Sequence, residues 1–234
     1  MTRNIEGIVL KKRNWRENDL EITFLSKDWG KMRLLAIGAR KFKSKLSGHL
    51  EPFNEIKIML AEGRTFDKIG QAVSLKNFSA QDILTDWKKN WVTQEAAELL
   101  NKILPEKQEE FKIYQLFKNY LALVSKIEAR QILTLFKWQA IVLAGFSPIL
   151  DECANCGSKI QGEVFNFSAS KGGLLCEKCF VKGDGQKISN SELKVLQHLV
   201  LNSGLKTAWI KLNQEKILFL ENLFAQFYSY HILK

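Results

Sequence analysis

The four cysteines of the chain constrain its fold more than any other feature. They form two CxxC pairs, Cys153/Cys156 and Cys176/Cys179, separated by 19 residues. This spacing is typical of a site in which four thiolates bind one zinc ion. Four thiolates complete a tetrahedron and leave no position for water, so we predict one structural zinc per chain. A redox-active CxxC and four unliganded thiols remain the alternatives.

The residues around the cysteines predict a small zinc ribbon at about residues 150–182. Gly157 directly follows Cys156, where a tight turn would bring two thiolates toward one metal. Between the pairs, residues 163–167 have the alternation of a strand and Lys171-Gly172-Gly173 is a turn signal. We therefore expect the metal to stabilise a short β-structure.

Residues 1–78 predict five short strands separated by turn signals. The connection after the third strand is longer than the others, which favours a closed OB-fold barrel over a two-layer sandwich or an SH3-like barrel. The segments with strand-like patterns are Ile5–Lys12, Asp19–Leu25, Met32–Ile37, Phe53–Leu60 and Phe66–Phe78.

From residue 79 onward the apolar period changes from two to about 3.6, which predicts a helical domain over residues 79–234. Ser79 and Asp82 suggest a helix N-terminus, and Ser189 with Glu192 suggests a capping box. The predicted fold class is therefore α+β, with an OB-fold barrel followed by helices that carry the ribbon. The expected helices are one after Ser79 with Ile83, Trp87, Trp91 and Ala97 on a buried face, then Phe111–Val124, a buried central helix Glu128–Ala144, one after Ser189, and Gln214–Tyr230.

The charge balance predicts a polyanionic partner. The net charge is +10, and residues 1–80 contribute +7 of it, with 16 Lys/Arg against 9 Asp/Glu. The run from Trp29 to Leu50 contains six cations and no carboxylate, and a basic turn around Trp15 precedes it. Cations interleaved with Trp15 and Phe42 favour a single-strand binding groove, although both rings could instead cap the barrel core. The candidate nucleic-acid-binding residues, which the family resemblance given below assigns to DNA, are Lys12, Arg13, Arg16, Lys31, Arg33, Arg40, Lys41, Lys43 and Lys45.

Signals for catalysis, secretion and membrane insertion are missing from the sequence. There is no HExxH, phosphate-binding GxxxxGK[ST] or dinucleotide-binding GxGxxG motif, and the three histidines are far apart. No apolar run reaches the roughly 18 residues of a membrane span. We expect a cytoplasmic protein that is not an enzyme and has no membrane partner.

Several short segments resemble the RecO family of bacterial DNA repair and recombination mediators, in order along nearly the whole chain. They are Gly7-Ile-Val-Leu10, Glu17-Asn-Asp19, Gly38-Ala-Arg-Lys41 with Lys43-Ser44, Leu50-Glu-Pro52-Phe53, and Gly145-Phe-Ser-Pro148 just before the first CxxC.

The resemblance implies a protein that binds single- and double-stranded DNA and anneals complementary strands. It further implies help in loading RecA onto strands coated with single-strand binding protein (SSB), with RecR and the acidic SSB tail as partners and a place at the nucleoid. By charge alone, Lys126, Arg130 and Lys137 are candidates for the tail site. An RNA-binding OB and zinc-ribbon protein acting in translation or RNA processing is the alternative, and a CxxC thiol redox enzyme is a third reading.

Overall fold

The structure is a computed structural model that describes residues 2–78, 83–202, 204–209 and 211–232. The chain divides into two compact units, one up to Ala129 and the other from Arg130 onward. Among the described residues, no helix combines the length and apolar character needed to cross a membrane. The predicted cap at Ser79 and Asp82 lies outside the described residues.

A closed five-stranded barrel forms the start of the first unit. Its strand order is β1-β2-β3-β5-β4, and β1 pairs with β4 to complete the ring. All pairs are antiparallel except β3 with β5, which are parallel and meet at Leu34 and Asp67. The strands are β1 Thr2–Asn14, β2 Leu20–Ser26, β3 Gly30–Ala36, β4 Asn54–Ala61 and β5 Asp67–Asn77. The predicted OB-type fold is therefore confirmed, and its strand segments agree closely with those expected from the sequence.

The barrel core also anchors the long connection after β3. The interior is lined by buried aliphatic and aromatic side chains such as Val9, Ile22 and Phe24. Leu50 is part of this core and Leu46 packs against it, so the connection is fixed to the barrel at its far end. We define residues 37–49 as the basic loop.

The first α-helix among the described residues, α1 (Trp87–Ile103), corrects one prediction. Its N-terminus is capped by Asp86, whose carboxylate accepts from the Lys88 amide at 2.9 Å. The helix buries a face on the opposite side from the two tryptophans that were expected in the core. Trp87 and Trp91 are 73% and 56% exposed. The buried face consists of Val92, Thr93, Ala96, Ala97, Leu99 and Leu100.

The next helix, α2 (Phe111–Leu123), packs on the barrel through a buried polar contact. Tyr114 donates its hydroxyl to Glu55 of β4 at 2.5 Å, and the Lys118 ammonium lies 2.5 Å from the same carboxylate oxygen. Burial, and then the neighbouring Glu55 carboxylate, raise the pKa of Tyr114, so the phenol remains a hydrogen-bond donor. Since Glu55 is itself buried, this contact fixes the angle of α2 on the barrel.

The second unit is built around α3 (Ala129–Leu143), which confirms the predicted buried central helix. Its side chains are buried on almost every side from Gln131 to Ile141. Trp138 donates its indole N–H to the Leu220 carbonyl at 3.1 Å and packs edge-on against Phe224. The remaining helices are α4 (Asn190–Leu201), α5 (Gln214–His231) and a short 3-10 helix at Leu205–Trp209. The predicted capping box of Ser189 and Glu192 is present at the start of α4.

A three-stranded sheet carries the cysteine region. Its order is β7-β6-β8, and both pairs are antiparallel. The strands are β6 Val164–Ser168, β7 Gly173–Leu175 and β8 Gln186–Ser189. The strand and turn expected between the cysteine pairs are both present, but β8 lies beyond the expected end of the ribbon at about residue 182. Sequence reasoning missed β8 because its four residues contain a single apolar side chain, Ile188.

Candidate metal centre and nucleic-acid interface

The four cysteines converge on one point. All four sulfur atoms of Cys153, Cys156, Cys176 and Cys179 lie within 4.8 Å of one another, and Cys156 Sγ is 3.8 Å from Cys176 Sγ. A tetrahedral zinc with Zn–S bonds of about 2.3 Å has sulfur atoms roughly 3.8 Å apart. The donor set therefore fits a four-thiolate zinc in both its chemistry and its spacing.

Each CxxC pair forms a tight turn that aims its two sulfur atoms inward. In the first, the Gly157 amide donates to the Cys153 carbonyl at 2.8 Å, and Gly157 adopts a φ of +70°. In the second, the amides of Cys179 and Phe180 both donate to the Cys176 carbonyl at 3.0 Å. Glycine adopts the left-handed conformation without strain, which explains the choice of residue after Cys156.

Polar neighbours surround the sulfur atoms. The Cys176 amide and the Asn155 side-chain amide donate to Cys153 Sγ and Cys179 Sγ, each at 3.4 Å. The Ser158 hydroxyl lies 3.2 Å from Cys156 Sγ. Such contacts orient metal ligands and tune their basicity. Sequence reasoning did not single out Asn155 and Ser158, although their positions within and just after a CxxC turn are a usable signal.

The pKa values of the thiols differ across the cluster. Burial by itself raises the pKa of the Cys153 thiol, but backbone amides of Cys176, Asn155 and Cys156 donate to its sulfur and lower the pKa to about 6. The Asn155 amide favours the Cys179 thiolate, but the neighbouring Cys176 and Cys156 sulfurs outweigh it and raise the pKa to about 11. Each thiolate thus disfavours ionisation of the neighbouring thiol. A bound cation would offset the repulsion among four thiolates.

Hydrogen bonds hold the basic loop against the turn between β1 and β2. The Gly38 amide donates to the Asp19 carboxylate at 2.7 Å, and the Arg40 amide donates to the Asn18 carbonyl at 3.0 Å. The Arg40 guanidinium also donates to the carbonyls of Glu17 at 2.8 Å and Arg16 at 3.3 Å. The two segments therefore form one surface, with the loop's cations at fixed positions on it.

The nine candidate DNA-binding residues fall into two groups. Within the described part of the chain, five exposed cations have no carboxylate partner: Arg16, Arg40, Lys41, Lys43 and Lys45. Three others are exposed but form ion pairs, namely Lys12 with Glu51, Arg13 with Glu21 and Arg33 with Glu106, at 2.5–2.7 Å. The first group can meet a phosphate without losing a carboxylate partner, although Arg40 would exchange its contacts to the Glu17 and Arg16 carbonyls, whereas each member of the second group must exchange a carboxylate for the phosphate.

Lys31 is the exception among the nine. The residue is buried, and its ammonium donates to the Asn101 carbonyl of α1 at 2.6 Å. Burial lowers the pKa of this ammonium, and the nearby Glu106 carboxylate partly opposes that change. Lys31 therefore links the barrel to α1, and it is not part of the proposed DNA interface.

The two aromatic residues of the basic region have different environments. Phe42 is fully exposed at the tip of the basic loop, so the alternative that it caps the barrel core is wrong. Trp15 is 37% exposed and packs edge-on against Phe66, with ring centroids 5.5 Å apart and the Arg13 guanidinium over its face. Phe42 is thus the freer ring, and it lies between Lys41 and Lys43.

The three candidates for the site that binds the acidic SSB tail also differ in their environments. Arg130 forms a two-point contact with Glu221 of α5, at 3.0 and 2.5 Å. The Lys137 ammonium lies 5.6 Å from the centre of the Phe224 ring. Lys126 is exposed in the segment before α3. All three side chains are cationic, so charge alone does not distinguish among them as the tail site.

Comparison with known families settles the lineage of this chain. A family model described as "Recombination protein O N terminal" matches residues 1–78, and one described as "Recombination protein O C terminal" matches residues 84–234. The chain belongs to the RecO family. The resemblance seen in the short sequence segments is thereby confirmed, and with it a role in DNA repair and recombination.

Individual members of the RecO family are similar to this chain over most of its length. A DNA repair protein RecO from Caldanaerobacter subterraneus subsp. tengcongensis is 33% identical over 198 residues, which cover 83% of this chain and 78% of the relative. The DNA repair protein RecO of Dehalococcoides mccartyi is 30% identical over 211 residues, covering 90% and 83%. That of Desulforamulus reducens is 30% identical over 215 residues, covering 87% and 83%. The similarity therefore includes both the barrel and the helical region.

Proposed function

We propose that this RecO family member is a DNA-binding recombination mediator that binds single- and double-stranded DNA and anneals complementary strands. The observation that carries the proposal is a group of five exposed cations that have no carboxylate partner among the described residues, Arg16, Arg40, Lys41, Lys43 and Lys45, on one surface of the barrel. The interface is thus narrower than the nine residues expected from the sequence. Lys12, Arg13 and Arg33 are secondary because phosphate must compete with carboxylates for them.

The unpaired cations support binding that does not depend on base sequence. Cations that contact phosphates release condensed counterions, and this gain is the same for every sequence. Neutralising phosphates also reduces the repulsion between two complementary strands, which is the main barrier to their pairing at low salt. The exposed Phe42 ring supplies an apolar face on which an unpaired base can stack. Annealing by this route requires no covalent step, so we propose no catalytic residue.

We further propose that the protein assists loading of RecA onto strands coated with SSB, acting together with RecR at the nucleoid. The support is membership of the family together with the net charge of +10, which suits an acidic tail as well as DNA. RecA would be affected indirectly, through the SSB that is displaced. Lys126, Arg130 and Lys137 remain candidates for the tail site.

We also propose that Cys153, Cys156, Cys176 and Cys179 bind one structural zinc. The support is the tetrahedral spacing of the sulfur atoms and the hydrogen bonds that they accept. Zinc would supply charge compensation for four thiolates and connect the two turns that flank β6 and β7. Because a metal site of this kind forms only in the folded chain, metal binding would contribute directly to the folding of this region.

The decisive experiment is annealing of complementary DNA strands coated with SSB, with and without the acidic tail of SSB. The full-length protein should accelerate annealing of the coated strands, and loss of the tail should reduce that acceleration. Competition with RNA of the same sequence, at the same salt, tests the RNA-binding alternative. No acceleration on bare or coated strands, or stronger binding to RNA than to DNA, would contradict the proposal.

A further inference from the structure

Two large aromatic side chains on α1, Trp87 and Trp91, are mostly exposed in the folded unit. Trp87 and Trp91 are one helical turn apart, so both indoles lie on the face opposite the buried one. Large exposed aromatic side chains grouped on one face are typical of binding sites. The Lys88 ammonium lies 5.6 Å from the centre of the Trp87 ring, which places a cation beside this face.

Trp91 forms one wall of a groove of about 620 Å³ between α1 and the barrel. Leu84 contributes exposed apolar surface beside Trp91, and the buried side chains of Leu10, Phe53 and Ala97 line the groove beneath. Two amide side chains, Gln94 and Asn101, supply donors and acceptors. We call this feature the tryptophan groove. Its combination of an aromatic wall, apolar surface and amides matches the chemistry of a nucleobase.

The rim of the groove on the barrel side is formed by Lys11 and Lys12 of β1. Both ammonium groups are held by carboxylates, Lys11 by Glu98 at 3.3 Å and Lys12 by Glu51 at 2.6 Å. These are exposed ion pairs, which contribute little to stability, so a phosphate can replace the carboxylate at small cost. The rim thus offers two cations to a bound strand.

The groove is continuous with the proposed DNA interface. Lys12 is followed within four residues by Arg13, Trp15 and Arg16, and the turn that contains Arg16 is bonded to the basic loop through Arg40. An extended segment of four residues spans at most about 14 Å. A single strand lying on the basic loop therefore has a short, basic path along β1 to the groove.

We propose that single-stranded DNA continues from the basic loop into the tryptophan groove, where Trp91 stacks on an unpaired base and Lys11 and Lys12 contact phosphates, while Trp87, one helical turn away and outside the groove lining, offers a second ring. This inference rests on the proposed function and adds a second contact region to it. Double-stranded DNA does not offer the faces of its bases to a stacking side chain, so the groove would favour single strands. Stacking in the groove would keep the bases of the bound strand unpaired until a complementary strand arrives.

The test compares binding of oligothymidylate by full-length variants at several salt concentrations. Trp91→Ala should weaken binding by roughly 5- to 150-fold, the effect of losing one stacked base, with an unchanged salt slope because no charge is lost. Trp91→Phe retains a ring and should keep most of the affinity. Trp209→Ala, an exposed tryptophan outside the groove, is the matched control and should bind as the unchanged protein does.

A second variant tests the rim by gain of function. Glu98→Gln removes the carboxylate that competes with phosphate for Lys11, so single-strand affinity should rise. Glu62→Gln makes the same charge change at the exposed Arg3–Glu62 pair outside the groove and should leave the affinity nearly unchanged. Equal effects of the two variants would overturn the assignment of Lys11 to a phosphate contact.

The outcomes separate this inference from the proposed function. If Trp91→Ala binds normally while alanine variants of the basic loop bind weakly, the groove assignment is wrong and the loop interface stands. If both sets bind normally, the DNA interface lies elsewhere and both are wrong. Weak binding by Trp91→Ala, with Trp209→Ala normal, supports the groove.

Discussion

Replacement of Lys41, Lys43 and Lys45 by alanine tests whether the basic loop contacts phosphates. These three side chains are exposed and, among the described residues, have no carboxylate partner, so their loss should change the free energy of unfolding by no more than about 0.5 kcal/mol. Each lost single-strand contact flattens the slope of log K against log salt by roughly 0.7, so three contacts account for roughly 2.1. Between 50 and 200 mM salt, the unchanged protein should therefore lose roughly 20-fold more affinity than the variant.

The control for this experiment removes the same charge from other sites. Arg3, Lys107 and Arg130 each form an ion pair with a carboxylate and are not among the candidate DNA-binding residues, and their replacement by alanine also lowers the net charge by three. Because these side chains lie outside the proposed phosphate contacts, the control should keep nearly the full salt slope. Fluorescence anisotropy of labelled oligothymidylate at four salt concentrations measures both variants. Equal flattening in the two variants would show that net charge, and not contact by the loop, drives binding.

Three further outcomes are expected. Cys176→Ser should reduce bound zinc from one per chain to near zero and lower the unfolding temperature, measured by elemental analysis and calorimetry; a metal-free, fully folded protein with four titratable thiols would contradict the zinc site. Phe42→Ala should weaken binding of single strands roughly 5- to 150-fold with little effect on duplexes, and equal effects on both would exclude base stacking. Glu55→Ala should destabilise the fold by about 1–3 kcal/mol in urea unfolding, because Tyr114 and Lys118 both lose their acceptor; an unchanged midpoint would refute that role.

The zinc-type cluster and the barrel were the most predictable parts of this molecule. Both depend on local rules, since a CxxC turn places two sulfurs near each other and strand alternation fixes which side chains face inward. The role of Gly157 was predictable in the same way. Its left-handed φ follows from the tight turn after Cys156. The strands β6 and β7 lie between the two cysteine pairs in the sequence, and their pairing is enough to bring the two CxxC turns together.

The orientation of α1 was not predictable, because the helix has apolar residues on more than one side. The spacing of Ile83, Trp87 and Trp91 imitates a buried face, but the helix begins only at Trp87, after the Asp86 cap. The smaller residues around Val92 form the face that packs, since they allow a closer approach than two indoles would. Aromatic spacing alone therefore does not distinguish a core from a binding surface.

The division of the basic side chains into free and paired groups follows from where each lies on the barrel. Lys41, Lys43 and Lys45 come from an acid-free segment that is also a loop, so no neighbouring strand brings a carboxylate beside them. Lys31 and Arg33 belong to the same acid-free run but lie in β3, where α1 supplies Asn101 and the segment after α1 supplies Glu106 as partners. A run without acidic residues thus predicts unpaired cations only where the backbone leaves the sheet. This condition favours the basic loop over β3 as the proposed DNA-binding surface.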